Sequence, residues 1–180
     1  MTKFILYIAT SLDGYIARSD GSIDWLPSPE EGDEDYGYAK FYDSIDSLVM
    51  GYSTYEQVLG FEDWPYPDKL SYVLTSRNLS TARTDVFFVK GGIEEVLEDV
   101  NRKGYKRVWL VGGGKVASSF MNRGLVDEYI ITVIPTILGS GISLYQSVQE
   151  LKLDLIEVKS YPSGLVELRY KQNCHLSPGN

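Results

Sequence analysis

The stretch "VWLVGGGKVA", Val108 to Ala117, takes an apolar run of β-formers into three glycines and then into a helix start. A strand, a bare turn and a helix in so short a span is the joint of an α/β unit. Glycines at such a joint let the backbone approach something that a side chain would hold off. Two readings stand at this point: a cradle for an anion at the helix start, and close packing of helix on sheet.

The same alternation extends in both directions. Upstream, "IEEVLEDVNRKG" places Ile93, Val96, Leu97 and Val100 at helical spacing, with acids early, Arg102 and Lys103 late, and Gly104 as a stop. Before it, "SYVLTS" (71 to 76) and "VFFVK" (86 to 90) read as strands, and "SLVMG" (47 to 51) as another. Ser53 or Thr54 suits an N-cap for "YEQVL", with Gly60 at its end. A helix is expected to start near Glu34, with Tyr38, Phe41, Tyr42 and Ile45 facing inward. "KFILYIAT" (3 to 10) is a buried strand followed by a long polar segment from about Arg18 to Asp33. Downstream, "VASSFMNRG" is a short helix, "DEYIITVI" a strand, and "LDLIEVKSY" with "LVELRYK" a hairpin around "PSG".

The expected fold is α/β, a mainly parallel central sheet with an antiparallel C-terminal strand or hairpin. It forms a single domain over 1–171, with a polar tail over 172–180. At 180 residues and 43% apolar composition, one compact unit that buries roughly 70% of its unfolded surface is the natural size. In such sheets ligands sit at the carboxyl ends of strands, and four polar or glycine-rich turns stand there: "TSLDG", "MGYST", "TSRN" and "GGGK".

Charge and composition exclude several function classes. Net charge is -8, and Asp20, Asp24, Glu30, Glu31, Asp33, Glu34 and Asp35 share a stretch without Lys or Arg. That balance argues against nucleic acid or an anionic membrane as partner. A lone Cys174, no signal-peptide pattern and no run of ~20 apolar residues point to a soluble, cytoplasmic protein. A Ser/His/Asp nucleophile is excluded because His175, the only histidine, lies in the tail. One His and one Cys cannot make a closed soft-metal site, so no metal is expected. Val116 after Lys115 breaks a Walker A loop. Gly112, Gly114 and Ala117 satisfy the dinucleotide fingerprint, but the next strand ends in "TVIPT" without the ribose-binding acid. The phosphate-cradling physics survives and the Rossmann assignment does not.

"IATSLDGYIA", "LVMGYSTYEQV", "VLTSRN" and "VWLVGGGKVASSFMNRGLVDEYIITVIPTILGSG", in that order, resemble the dihydrofolate-reductase-like superfamily over about residues 3 to 171. The likeness is closest to the branch containing the reductase (C-terminal) domain of the bifunctional riboflavin biosynthesis protein, to which "GLVDEYIITVIPTILGSG" is the pointer. The resemblance implies a three-layer fold and an NADPH-dependent reductase. It places Ala9, Asp13 and Ile16 at the first strand and the loop that closes over the nicotinamide. It places Gly51, Ser53, Thr54 and Tyr55 at a phosphate-holding helix start, and Thr75, Ser76 and Arg77 at the adenosine ribose and its 2'-phosphate. Gly112, Gly113, Gly114, Lys115 and Val116 fall at the diphosphate turn, often with a cis Gly-Gly bond.

Each assignment has a plainer rival: Thr54 as a cap, Arg77 as a surface charge, Ile16 as core. Tyr52 stands where many relatives carry Arg, which leaves NADH open beside NADPH, and Ala117 replaces the tyrosine of dihydrofolate reductases. Counting back from "VMG" puts Asp35 at the acid that holds a pterin, with Glu34 as the alternative register and helix capping as the rival role. The substrate implied is a small heterocycle, pterin-like or the ribosylaminopyrimidine of riboflavin synthesis, with a non-catalytic NAD(P)H-binding protein on the same fold as the alternative, and a homodimer is plausible.

Overall fold

The computed structural model describes residues 1–27 and 35–173. In chain order the elements are β1 (Lys3–Ser11), β2 (Tyr15–Ala17), α1 (Tyr38–Ser44), β3 (Ser47–Gly51), α2 (Tyr52–Leu59), β4 (Leu70–Leu74) and β5 (Val86–Val89). Then follow α3 (Ile93–Arg102), β6 (Arg107–Gly112), α4 (Gly114–Asn122), β7 (Glu128–Ile134), β8 (Ile142–Ser143), β9 (Leu153–Ser160) and β10 (Val166–Gln172). The main sheet runs β5-β4-β3-β6-β1-β7-β10-β9. Every pair from β5 to β7 is parallel, while β10 is antiparallel to both β7 and β9.

The burial of the strands follows from that order. β1, β3 and β6 lie inside the sheet with helices on both faces, so their sequences are nearly continuous apolar runs rather than alternating ones. One face carries Phe4, Leu6, Val49 and Leu110 beneath Ile93, Val96 and Val100 of α3 and Phe120 of α4. The other carries Ile5, Leu48, Met50 and Trp109 beneath Phe41 of α1 and Tyr55 and Val58 of α2. These two apolar layers make the fold the three-layer α/β architecture that the sequence implied.

Several local expectations need correction. The first helix begins at Tyr38 rather than near Glu34, because Gly37 adopts a left-handed φ of 82° immediately before it. Glu34 itself lies outside the described residues, as do Cys174 and His175. The cap of α2 is Gly51, not Ser53 or Thr54, which fall inside its first turn. β4 ends at Leu74, leaving Thr75 and Ser76 in the turn after it. Between β1 and the polar segment lies a strand that was not expected, β2, which pairs antiparallel with β8 through Tyr15↔Ser143 and Ala17↔Ile142. β10 extends to Gln172, and Asn173 N-H donates to Lys152 O at 3.0 Å, so the first residues of the expected tail are tied to the sheet.

Candidate functional site

Because β1, β3, β4 and β6 are parallel, their carboxyl ends share one edge, and the chain order breaks where β6 inserts between β3 and β1. A cleft of about 1110 Å³ opens there, as expected at a topological switch point. Gly51, Ser53 and Thr54 line one wall, and Gly113, Gly114, Lys115 and Val116 the next. Ala9, Ile16 and Ile142 line the side toward β1 and the small β2-β8 sheet.

Two helices begin at this cleft, and they begin alike. α2 is capped by Gly51 and α4 by Gly113; neither has a side-chain cap bond, and neither carries an acid in its first turn. Their first-turn N-H groups therefore lack the side-chain acceptor that usually satisfies them. α3, at a different place, instead carries Glu94 and Glu95 in its first turn. A Cβ on Gly51 would stand 3.1 Å from Val116 Cγ2 and 4.0 Å from Gly113 N, so the two helix starts abut. Adjacent positive helix ends without a built-in counter-charge are complementary to an anion.

The glycines of the quoted stretch divide their work. Gly112 has φ 126° and a cis bond to Gly113. A Cβ on Gly113 would meet only Thr54 Oγ1, at 3.5 Å, so its backbone faces the cleft bare. A Cβ on Gly114 would collide with Ser143 O at 2.6 Å and Gln146 Nε2 at 2.5 Å. Gly114 thus serves close packing, the rival reading of the turn, while Gly113 fits the cradle.

The remaining expected residues are placed less uniformly. Thr75 and Ser76 line a neighbouring cleft of about 580 Å³ that shares Leu74, Lys115 and Val116 with the first. Tyr55, on the inner face of α2, is buried and stands edge-on against Phe88. Arg77 is exposed, 4.5 Å over the Tyr52 ring and 3.9 Å from Glu56 Oε1, and lines neither cleft. Asp13 does not line them either. Its carboxylate accepts from Ser11 Oγ at 2.6 Å, Leu138 N at 3.1 Å and Gly139 N at 2.7 Å. The Ser11 hydroxyl, aided by those amides, holds its carboxyl below the ordinary range. The loop after β1 is thereby tied to the segment after β7, and Leu144 N-H to Gly14 O at 3.1 Å ties it again.

Asp35 is not brought to the cleft. It is exposed, and its two oxygens accept from Gly37 N at 2.8 Å and Ala39 N at 3.1 Å, the capping role that was the rival reading. Those amides hold its pKa down.

The cleft also contains residues that local sequence did not single out. Tyr7, Tyr66 and Trp109 form part of its wall, Trp109 donating from Nε1 to Tyr7 O at 2.9 Å. Burial pushes the Tyr7 and Tyr66 hydroxyls well up, so both are neutral donors. Ser143 and Gln146 arrive from beyond β7. Their signal was in the quoted "IPTILGSG", which fixes where the chain returns, not which side chain it presents. Among the described residues no group of three or more His, Cys, Asp or Glu side chains could hold a metal, and no helix is long and apolar enough to cross a membrane.

Comparison with known proteins agrees with this architecture. The Bacillus subtilis (strain 168) protein YwjB, itself uncharacterized, is 41% identical over 93% of this chain and 97% of its own length. The riboflavin biosynthesis protein RibD of Corynebacterium ammoniagenes is 29% identical over 77% of this chain, a match that spans 44% of that longer protein. A solved structure from Shewanella sp. PV-4, assigned by its name to riboflavin biosynthesis, superposes with a TM-score of 0.85 at 33% identity, over 96% of this chain and 99% of that one. The family defined by the RibD C-terminal domain matches residues 2–167, and the chain belongs to that family.

Proposed function

We propose that this chain is an NADPH-dependent reductase that delivers a hydride to a small heterocycle, of the kind reduced as 5-amino-6-(5-phosphoribosylamino)uracil in riboflavin synthesis. The observation that carries the reading is the pair of abutting, uncapped helix starts on one cleft, Gly51 to Thr54 and Gly113 to Val116. The bare face of Gly113 leaves room for a diphosphate beside Thr54.

When bound, a nicotinamide dinucleotide supplies the hydride, and the chain's own residues bind, orient and exclude water. The Gly51 and Gly113 turns would hold the diphosphate by main-chain N-H groups, with Lys115 beside them. Thr75 and Ser76, one cleft further, would meet the adenosine end, and Arg77 would turn from Glu56 toward a 2'-phosphate. Ile8, Ala9 and Ile16 form an apolar wall suited to a nicotinamide ring. Hydride transfer needs the acceptor held about 3 to 3.5 Å from the donor carbon and a proton source, but no protein nucleophile. Because the Arg77 guanidinium already has Glu56 nearby, NADH remains the alternative donor. Ala117, fully buried in α4, offers no hydroxyl toward a pterin, which disfavours dihydrofolate as substrate.

The test is NADPH oxidation with the ribosylaminopyrimidine, with dihydrofolate as comparison, by the wild type and Gly113→Val. The reading expects turnover of the pyrimidine that the variant loses. Oxidation by neither protein with either substrate, together with no NADPH affinity, would remove it.

A further inference from the structure

Beside the apolar wall of Ile8 and Ala9, the cleft is built from aromatic side chains, and two of them carry hydroxyls that the fold leaves unused. Tyr7 stands on β1, its side chain on the same strand face as Ala9. Tyr66 arrives from the segment between α2 and β4. Both line the cleft, and both pack on Trp109 of β6, with ring centroids 6.1 Å and 5.4 Å away. Phe41 at 4.4 Å from the Tyr7 ring and Trp64 at 5.5 Å from the Tyr66 ring hold the pair further.

Enclosed phenol hydroxyls ordinarily find a partner in the protein. Tyr42 donates to Pro67 O at 2.7 Å, Tyr72 to Asp99 Oδ2 at 2.6 Å and Tyr161 to Tyr36 O at 3.2 Å. Tyr7 and Tyr66 differ. Their main-chain oxygens accept from Trp109 and Trp64, but neither hydroxyl makes a hydrogen bond among the described residues. Nor is either oxygen sealed from solvent, as the unpaired Tyr129 hydroxyl is. Burial keeps both phenols neutral. The cleft therefore presents two donors whose protons lack an acceptor, and the cofactor reading uses neither of them.

We propose that the Tyr7 and Tyr66 hydroxyls recognise the substrate ring, and that they select planar heterocycles presenting carbonyl oxygens, as a pyrimidinedione does, over rings with amino groups at those positions. A ring carbonyl completes each donor. Facing a ring amino group, a phenol oxygen accepts the N-H while its own proton stays unpaired, which is costly where water is excluded. The flat ring itself lies against the aromatic surface that Trp109 supports. The inference rests on the reductase reading, in that it takes this cleft as the place where a heterocycle is held.

The experiment uses two bicyclic probes of equal shape, a pteridinedione and the matching diaminopteridine, both uncharged at neutral pH. Calorimetry measures each on wild type, Tyr7→Phe and Tyr66→Phe, with and without NADPH. The wild type is expected to bind the dione about tenfold or more tighter than the diamino probe. Each variant is expected to reduce that preference about threefold or more, through weaker dione binding, while keeping its NADPH affinity. Equal binding of the probes by wild type, tighter binding of the diamino probe, binding of neither, or an unchanged preference in either variant would each overturn the proposal. A tyrosine-dependent preference in a protein that fails to bind NADPH would uphold the two hydroxyls and remove the cofactor reading instead. Should one variant not fold, the wild-type comparison together with the other variant decides.

Discussion

At the scale of single residues, neighbouring glycines in one turn make opposite predictions. Gly113→Val adds branches where the bare backbone faces the cleft, and its Cβ meets only Thr54 Oγ1 at 3.5 Å. It should leave the thermal midpoint nearly unchanged while NADPH affinity falls at least about tenfold, roughly 1.4 kcal/mol. Gly114→Ala forces a methyl against Ser143 O at 2.6 Å. Its cost should appear in stability, about 1 to 3 kcal/mol by denaturant titration. Asp13 gives a pH signature. Its folded pKa is depressed below 3.8, first by Ser11 and then by the Leu138 and Gly139 amides. The stability it adds is therefore present above the unfolded carboxylate pKa and is lost as pH falls through the lower folded value. Asp13→Asn should lower the midpoint at neutral pH, and the gap to wild type should close below about pH 4.

At the scale of elements, α3 is fastened to β4 by one polar cluster in an apolar layer. The Tyr72 hydroxyl, on a ring with no exposure, donates to Asp99 Oδ2 at 2.6 Å, and Asp99 also takes Lys103 Nζ at 2.5 Å and Arg102. Burial alone would raise the Asp99 pKa, but those three donors hold it far below the usual range. Tyr72→Phe should cost about 1 to 2 kcal/mol in chemical denaturation without changing the fold. This scale also shows what local sequence could and could not convey. β1, β3, β6 and α3 were legible because each carries its own signal, a continuous apolar run or a helical period with complementary charges. β2 and β8 were not, since strands as short as Tyr15–Ala17 and Ile142–Ser143 have no period and exist through pairing with each other. Gly51, Thr54, Gly113 and Gly114 could be set beside one cleft from the sequence because they stand at or follow the carboxyl ends of strands. Asp35, expected at the acid that holds a heterocycle, instead accepts from the Gly37 and Ala39 amides, because a residue count cannot register a loop against a sheet.

At the scale of the whole molecule, the sheet ends in a strand that calls for cover. β9 is an edge, and Leu155, Ile156 and Val158 on it are 56%, 53% and 53% exposed. Apolar side chains left exposed among the described residues on an edge strand suit a second copy of the chain. Sedimentation should find a homodimer, and Val158→Lys should shift it to monomer without altering cofactor affinity, since β9 is remote in the sheet order from β3 and β6. The cleft itself joins everything else: the switch point in strand order, the two uncapped helix starts and the tied loop after β1 all converge on it. Its most direct test is a titration with NADPH and with NADH, read by calorimetry and by the fluorescence of Trp109, which lines the cleft and packs against Tyr7 and Tyr66. The account predicts saturable micromolar binding of one dinucleotide per chain, tighter for NADPH and weakened at least about tenfold in Gly113→Val. Absence of heat with either dinucleotide, in protein whose cooperative unfolding shows it to be folded, would contradict it.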